Sequence, residues 1–181
     1  MVGKNDDKKE NYLVRPIGIV RSNYKKASLK YQDQDLELNE KILTNTKTGK
    51  ESVSELVIKK EYEDCLDGIE DFSHIMVLYW SHNIGEEGRA VTKVHPAGKK
   101  YLPLVGVFAT RSPSRPNPIC STTVELLERK KNILKVKGLD ALDGSPIIDI
   151  KFHHPSYDSP SNVKWPDWMK ELLNYFHKRL K

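Results

Sequence analysis

The run VGVFATRSPSRPNPI at 105–119 holds the densest set of chemically useful side chains in this sequence. An apolar stretch of strand character ends at Ala109 and opens onto Arg111, Arg115 and Asn117, interleaved with Ser112, Ser114 and the prolines at 113, 116 and 118. Proline fixes its own φ and restricts the residue before it, so this loop is stiff and can hold a polar ligand at little ordering cost. Arginine contributes a permanently charged planar fork that matches a carboxylate or phosphate, and asparagine both donates and accepts. A tight strand connection with its arginines in water would read similarly, so the loop is weighed with three further constellations.

The run LDALDGSPIIDI at 139–150 combines a turn signature, Asp143-Gly144-Ser145-Pro146, with Asp149, a carboxylate inside an otherwise apolar strand. A buried carboxylate needs a cation or several donors, and the arginines of the first loop are candidates. Trp80-Ser81-His82-Asn83 ends a strongly apolar run and offers a histidine as ligand contact or proton acceptor. Arg21, Lys25, Lys26 and Lys30 alternate with Tyr24 and Tyr31, a pattern suited to phosphates and bases and equally to a solvated loop. His153 and His154 have no third ligand at a recognised spacing, so no metal is expected. The sequence has no Gly-x-Gly, P-loop or Gly-x-Ser-x-Gly motif, which argues against dinucleotide binding and against a doubly wound methyltransferase.

The elements that must carry these groups are mostly strands. Expected strands run over 13–20, 55–62, 72–80, 104–109, 119–127, 133–139 and 147–152, with turns at 47–50 and 66–69 and an irregular excursion over 83–102. Short strands at turn-punctuated spacing predict an all-β fold, a barrel or sandwich. One helix is expected from Pro166 onward, with Asp167 at its positive end, basic residues at its negative end and an apolar stripe of Met169, Leu172, Leu173, Phe176 and Leu180. Residues 1–11 read as a frayed tail, 12–158 as the catalytic or binding domain and 159–181 as a linker and amphipathic helix. The 181 residues carry a formal charge of +5, compatible with a polyanionic partner. Cys65 and Cys120 form no metal or redox pair, and no signal peptide or membrane span is read, which predicts a reduced, cytoplasmic setting.

The motifs IGIVRS at 17–22, LDGIEDFSH at 66–74, GVFATRSPSRPNPI at 106–119 and LDGSPIIDI at 142–150 resemble, in order and spacing, the TrmO (YaeB-like, TsaA-like) family of tRNA N6-methyltransferases. The resemblance covers residues 12–158. It implies a closed single-sheet β-barrel, a homodimer, and S-adenosyl-L-methionine as methyl donor. It further implies methylation of N6 of threonylcarbamoyladenosine at position 37 of threonine tRNA. By motif match the donor is held by His82, Asn83, Arg111, a residue near Ser121, and Asp143, Gly144, Ser145 and Pro146. Arg115, Asn117, Arg21, Lys25 and Lys26 are then expected to face tRNA, and Arg111, His82 and Asp149 to serve the reaction. The sequence departs from the family at Cys120, where glycine is usual, and around Lys30–Gln34, which lacks the family's proline and glycine. The rival readings are a non-catalytic RNA-binding barrel and a methyltransferase of the same fold acting on another acceptor.

Overall fold

The computed structural model describes residues 12–26, 29–32, 35–38 and 51–179. The expected tail at 1–11 and turn at 47–50 lie outside the described residues, as does Leu180 of the helical stripe. Six strands close into an antiparallel barrel: β1 (Gly18–Arg21), β4 (Val53–Ile58), β5 (His74–Trp80), β8 (Ile119–Lys130), β9 (Ile133–Lys137) and β10 (Pro146–Phe152), in the spatial order β1-β10-β5-β8-β9-β4. Two small hairpins stand apart, β2 (Leu29–Gln32) with β3 (Asp35–Leu38) and β6 (Lys93–Val94) with β7 (Val105–Gly106). The all-β barrel expected from the sequence is the observed fold.

Period-two burial drives the barrel. Leu56 and Ile58 of β4, Ile75, Val77 and Tyr79 of β5, Val124 of β8, Leu134 and Val136 of β9 and Ile147 of β10 point inward into one core. Leu139 and Ala141 close that core at the end where β5 finishes and β8 and β10 begin. The run at 75–80, read as apolar throughout, alternates in practice: Ile75, Val77 and Tyr79 are buried while Met76, Leu78 and Trp80 are half-covered on the outer wall. A smaller cluster of Val91, Val94 and Val107 supports the β6–β7 hairpin.

Closure passes through Gly18, which pairs with Ile58 on one side and Ile147 on the other. A Cβ there would lie 2.4 Å from the Val57 carbonyl oxygen and 2.9 Å from Ile58 Cα. Both are backbone atoms, so the glycine is what lets the strands approach.

Several element boundaries differ from the sequence reading. β1 is four residues; Ile17 before it still bonds Ile147 and Lys59 through its backbone, and 12–16 form no strand. After β4 the chain turns into a 3-10 helix over Lys60–Leu66 and a second over Ile69–Asp71, hinged at Gly68 with φ 81°. Arg129 ties this segment down, donating from Nη1 to the Leu66 carbonyl at 2.8 Å and from Nη2 to Asp67 at 2.8 Å. The strand expected over 104–109 shrinks to β7, and Val107–Ala109 is a 3-10 turn. The polar segment after Lys25, unassigned from sequence, contains the β2–β3 hairpin. Short helices α1 (Glu86–Arg89) and α2 (Pro155–Asp158) fall within loops, and α3 (Asp167–Arg179) is the expected amphipathic helix. Its stripe residues Met169, Leu172, Leu173 and Phe176 are half-buried, and Lys99 places its ammonium 4.4 Å from the Tyr175 ring centre.

Gly18→Ala should weaken the barrel by about 1–3 kcal/mol, the usual range for overpacking, because the clash is with backbone. Urea denaturation followed by circular dichroism measures this, and an unchanged midpoint would show that β1 can shift freely.

Candidate functional site

Strand polarity assembles the site. The C-terminal end of β5 and the N-terminal ends of β8 and β10 lie at one rim, because β5 is antiparallel to both neighbours. His82 and Asn83 leave β5 there, with the Ser81 amide still donating to the Pro118 carbonyl at 2.8 Å. The proline-rich loop enters β8 at the same rim, and the Asp143–Pro146 turn enters β10.

Two side-chain contacts join residues far apart in sequence. His82 Nδ1 and Ser145 Oγ are 3.3 Å apart. Arg111 Nη2 donates to the Ser121 carbonyl at 2.5 Å and to Ser121 Oγ at 3.1 Å. Ser121 pairs with Leu78, and His82 lies four residues further along, about 13 Å at 3.3 Å per residue. Among the described residues, Arg111 keeps Nε and Nη1 without a partner, and so does the Asn83 amide. Gly144 has φ 77° and open space where a Cβ would stand, so the turn leaves its backbone accessible.

The turn is stitched to the chain after β1. The Asp143 amide donates to the Tyr24 carbonyl at 2.8 Å, the Gly144 amide to Val20 at 2.8 Å, and the Val20 amide to Ser145 at 2.9 Å. Ser22 donates through its amide to Asp143 Oδ1 at 3.0 Å and through Oγ to the Ala141 carbonyl at 3.0 Å. Lys25 Nζ reaches Asp143 Oδ2 at 2.5 Å. The Lys25 ammonium, then the Ser22 amide, hold the Asp143 carboxyl below its ordinary range. Lys25 therefore helps to secure the turn, with its side chain 67% exposed. Arg21 lies 3.8 Å from Glu55, and Lys26 is exposed. An open cleft of about 460 Å³ beyond Asp143 sets Arg21 and Lys135 against Glu55 and Asp143.

Other expectations change. Asp149 is neither buried nor paired with an arginine; Lys151 Nζ lies 2.6 Å from it, with the Asp149 side chain 45% exposed. The register slips between Ile147 and Asp149, and this bulge turns Asp149 to the outer wall beside Leu78. Arg115 works inside its loop, donating from Nε to the Ser112 carbonyl and from Nη2 to the Thr110 carbonyl, each at 2.7 Å. Asn117 is exposed. Cys120 takes ordinary strand geometry opposite Tyr79, half-buried, and burial raises its thiol pKa. His153 and His154 serve α2: the His154 ring accepts from the Ser156 amide at 3.3 Å.

The sequence reading missed Phe108, which is 79% exposed beside Arg111. Its place in an apolar run hid it; Val107 is buried and Phe108 turns outward on the 3-10 turn. It also missed Asp35, whose carboxylate accepts from the His95 amide at 3.1 Å and meets His95 Nδ1, fastening β3 to the turn after β6.

Residues 36–159 match the tRNA-methyltransferase O N-terminal domain. A probable S-adenosyl-L-methionine-binding protein of Methanothermobacter thermautotrophicus is 46% identical over 146 residues, covering 81% of this chain and 93% of that protein. A similarly named Archaeoglobus fulgidus protein is 42% identical over 158 residues, 87% of this chain, although the chain spans only 38% of its length. The human tRNA (adenine(37)-N6)-methyltransferase is 39% identical over 107 residues, 58% of this chain and 23% of the human protein. A crystal structure of TrmO superposes with a TM-score of 0.63 at 27% identity, covering 86% of this chain and 64% of that one.

Lys25→Ala should move the Asp143 titration upward, toward the ordinary carboxylate range. A carboxyl whose folded pKa is depressed contributes fully at neutral pH and loses that contribution as pH falls through the depressed value. The substitution narrows this window, and carboxyl-carbon NMR across an acid titration reads it. An unmoved titration would assign the whole effect to the Ser22 amide.

Proposed function

We propose that this chain, which belongs to the tRNA-methyltransferase O family, transfers a methyl group from S-adenosylmethionine to N6 of adenosine 37 in tRNA. We further assign its acceptor as threonylcarbamoyladenosine of threonine tRNA. The observation that carries the reading is the convergence of His82 with Ser145, and of Arg111 with Ser121, at one barrel rim. The names of the archaeal and human relatives supply the donor and the acceptor base.

The rim suits an extended, zwitterionic nucleoside ligand. Two nitrogens of the Arg111 guanidinium and the Asn83 amide lack partners among the described residues, and they match a carboxylate and a base edge. When bound, S-adenosylmethionine supplies an electrophilic methyl on a sulfonium, so the protein need form no covalent bond. The chain's task is to hold the acceptor nitrogen in line and to take its proton. N6 is a poor nucleophile while its lone pair is delocalised into the purine and the carbamoyl carbonyl. With a proton on Nδ1, His82 donates to Ser145 Oγ and leaves Nε2 as the acceptor. We assign the proton to His82 rather than Asp149, whose carboxylate is held by Lys151 on the outer wall. Arg111 then binds the threonyl carboxylate or a phosphate of the same nucleotide. Phe108 offers an exposed ring on which an unstacked base can lie. Arg21 and Lys26 are the cations we assign to the tRNA backbone, while Asp143 and Lys25 fix the turn.

We also propose a homodimer in which the half-covered stripe of α3 meets a second copy, which light scattering at working concentration would read as twice the chain mass. A cytoplasmic setting is consistent with the free thiols of Cys65 and Cys120. Among the described residues no helix is long and apolar enough to cross a membrane.

Calorimetry with S-adenosylmethionine, without added metal, should show binding. Mass spectrometry of tRNA nucleosides should show a methylated threonylcarbamoyladenosine that disappears when the protein is removed. Absence of donor binding by folded protein favours the RNA-binding barrel, and a different methylated nucleoside favours another acceptor. Arg111→Ala should lower the methylation rate roughly ten- to a hundredfold, the loss of a charge-assisted hydrogen bond in the transition state. Its melting temperature should stay near native because the residue is exposed. A large drop in melting temperature would instead make Arg111 structural.

A further inference from the structure

The turn over 139–146 must be held on two sides to keep Ser145 against His82, and its known attachments lie mostly on one. Val20, Ser22 and Tyr24 bond the turn through Ala141, Asp143, Gly144 and Ser145. All of these partners belong to β1 or the chain just after it. The opposite side faces β5 and β8, the strands that deliver His82 and Ser121.

Asp140 spans that gap. Tyr79 Oη of β5 donates to Asp140 Oδ1 at 3.0 Å, and Thr122 Oγ1 of β8 donates to the same oxygen at 2.5 Å. Tyr79 is 6% exposed, so its hydroxyl needs a partner within the protein. Tyr79 also faces Ile147 on β10 and Cys120 on β8, so the carboxylate sits where all three site-bearing strands meet. Asp140 lies between Leu139 and Ala141, both buried, which seat the turn in the barrel mouth. Apart from the His82–Ser145 contact itself, no other side-chain hydrogen bond among the described residues ties 139–145 to β5 or β8.

We propose that Asp140 is a positioning residue: its carboxylate tethers the donor turn to β5 and β8 and thereby sets the alignment of Ser145 with His82. The tether itself rests on geometry, and its effect on donor binding rests on the proposed function above. Asp140 touches neither the methyl group nor the acceptor. It acts by fixing where the turn's backbone and Ser145 stand relative to the strand that ends in His82. One oxygen accepting two hydroxyls from neighbouring strands is what a side chain without an acceptor cannot reproduce.

The test compares Asp140→Ala and Asp140→Asn in the full chain by amide hydrogen exchange and by calorimetry with S-adenosylmethionine. In Asp140→Ala the amides of Asp143, Gly144 and Ser145 should exchange about tenfold faster, while those of Leu56 and Leu134 keep their native rates. Donor affinity should fall by about the same factor. Asp140→Asn keeps an oxygen that can accept from both hydroxyls and should restore both readouts to within about threefold. Should Asp140→Ala fold poorly, Thr122→Val removes one arm of the tether and should shift both readouts in the same direction by a smaller factor. Unchanged exchange at 143–145 overturns the proposal, as does equal acceleration at Leu56 and Leu134, which is general destabilisation. Faster turn exchange with unchanged donor affinity also overturns it. If the native protein binds no donor, the proposed function fails, while the exchange measurement still decides whether Asp140 holds the turn.

Discussion

β1 is four residues long and closes the barrel. Its backbone bonds β10 on one side and β4 on the other, and Gly18 permits the approach because no Cβ stands against the Val57 carbonyl. Closure leaves the six-stranded sheet without an edge. It also decides where the chain goes next: Ser22, Tyr24 and Lys25 leave β1 over the barrel mouth, where they meet Asp143. The same strand that completes the fold therefore builds one wall of the site.

Around that mouth the polar groups divide into those that hold the structure and those left for a ligand. Asp143, Lys25, Arg115 and Asp140 have their hydrogen bonds within the protein. Arg111 and Asn83 retain donors without protein partners, and Phe108 retains an exposed face. This division follows from chain geometry. Arg115 folds back onto the carbonyls of Ser112 and Thr110 in its own proline-stiffened loop, whereas Arg111 stands where the loop leaves its 3-10 turn and bonds Ser121. Two arginines four residues apart thus have different work. The preorganised rim agrees with a reaction in which the protein positions two reactants and forms no covalent bond of its own.

The electrostatics of the rim are local. The Lys25–Asp143 pair is solvent-exposed, and its effect is to fix a backbone turn rather than to add much stability. The Arg21–Glu55 pair and the neighbouring Lys135 leave the outer wall with alternating charge.

Much of this protein was legible in sequence because the signals are local. Apolar, strand-forming runs mark β5, β8, β9 and β10, and the proline and glycine positions mark the loops between them. The residues at 82–83, 111 and 143–146 stand out because strand ends followed by polar groups are where a barrel presents chemistry. Tertiary structure decided what those residues touch. Asp149 looks buried in sequence, since its neighbours are apolar, but a one-residue bulge turns it to the outer wall and gives it to Lys151. Phe108 stands in an apolar run, but on its 3-10 turn the ring faces outward while Val107 beside it is buried. Asp140 and Lys25 stand in runs that the sequence marks, but Tyr79 and Asp143, which they meet, are 61 and 118 positions away and become neighbours only when the barrel closes. Local sequence sets the period and the turns, whereas hydrogen-bond partners depend on strand register, which is fixed by the packing of the whole core.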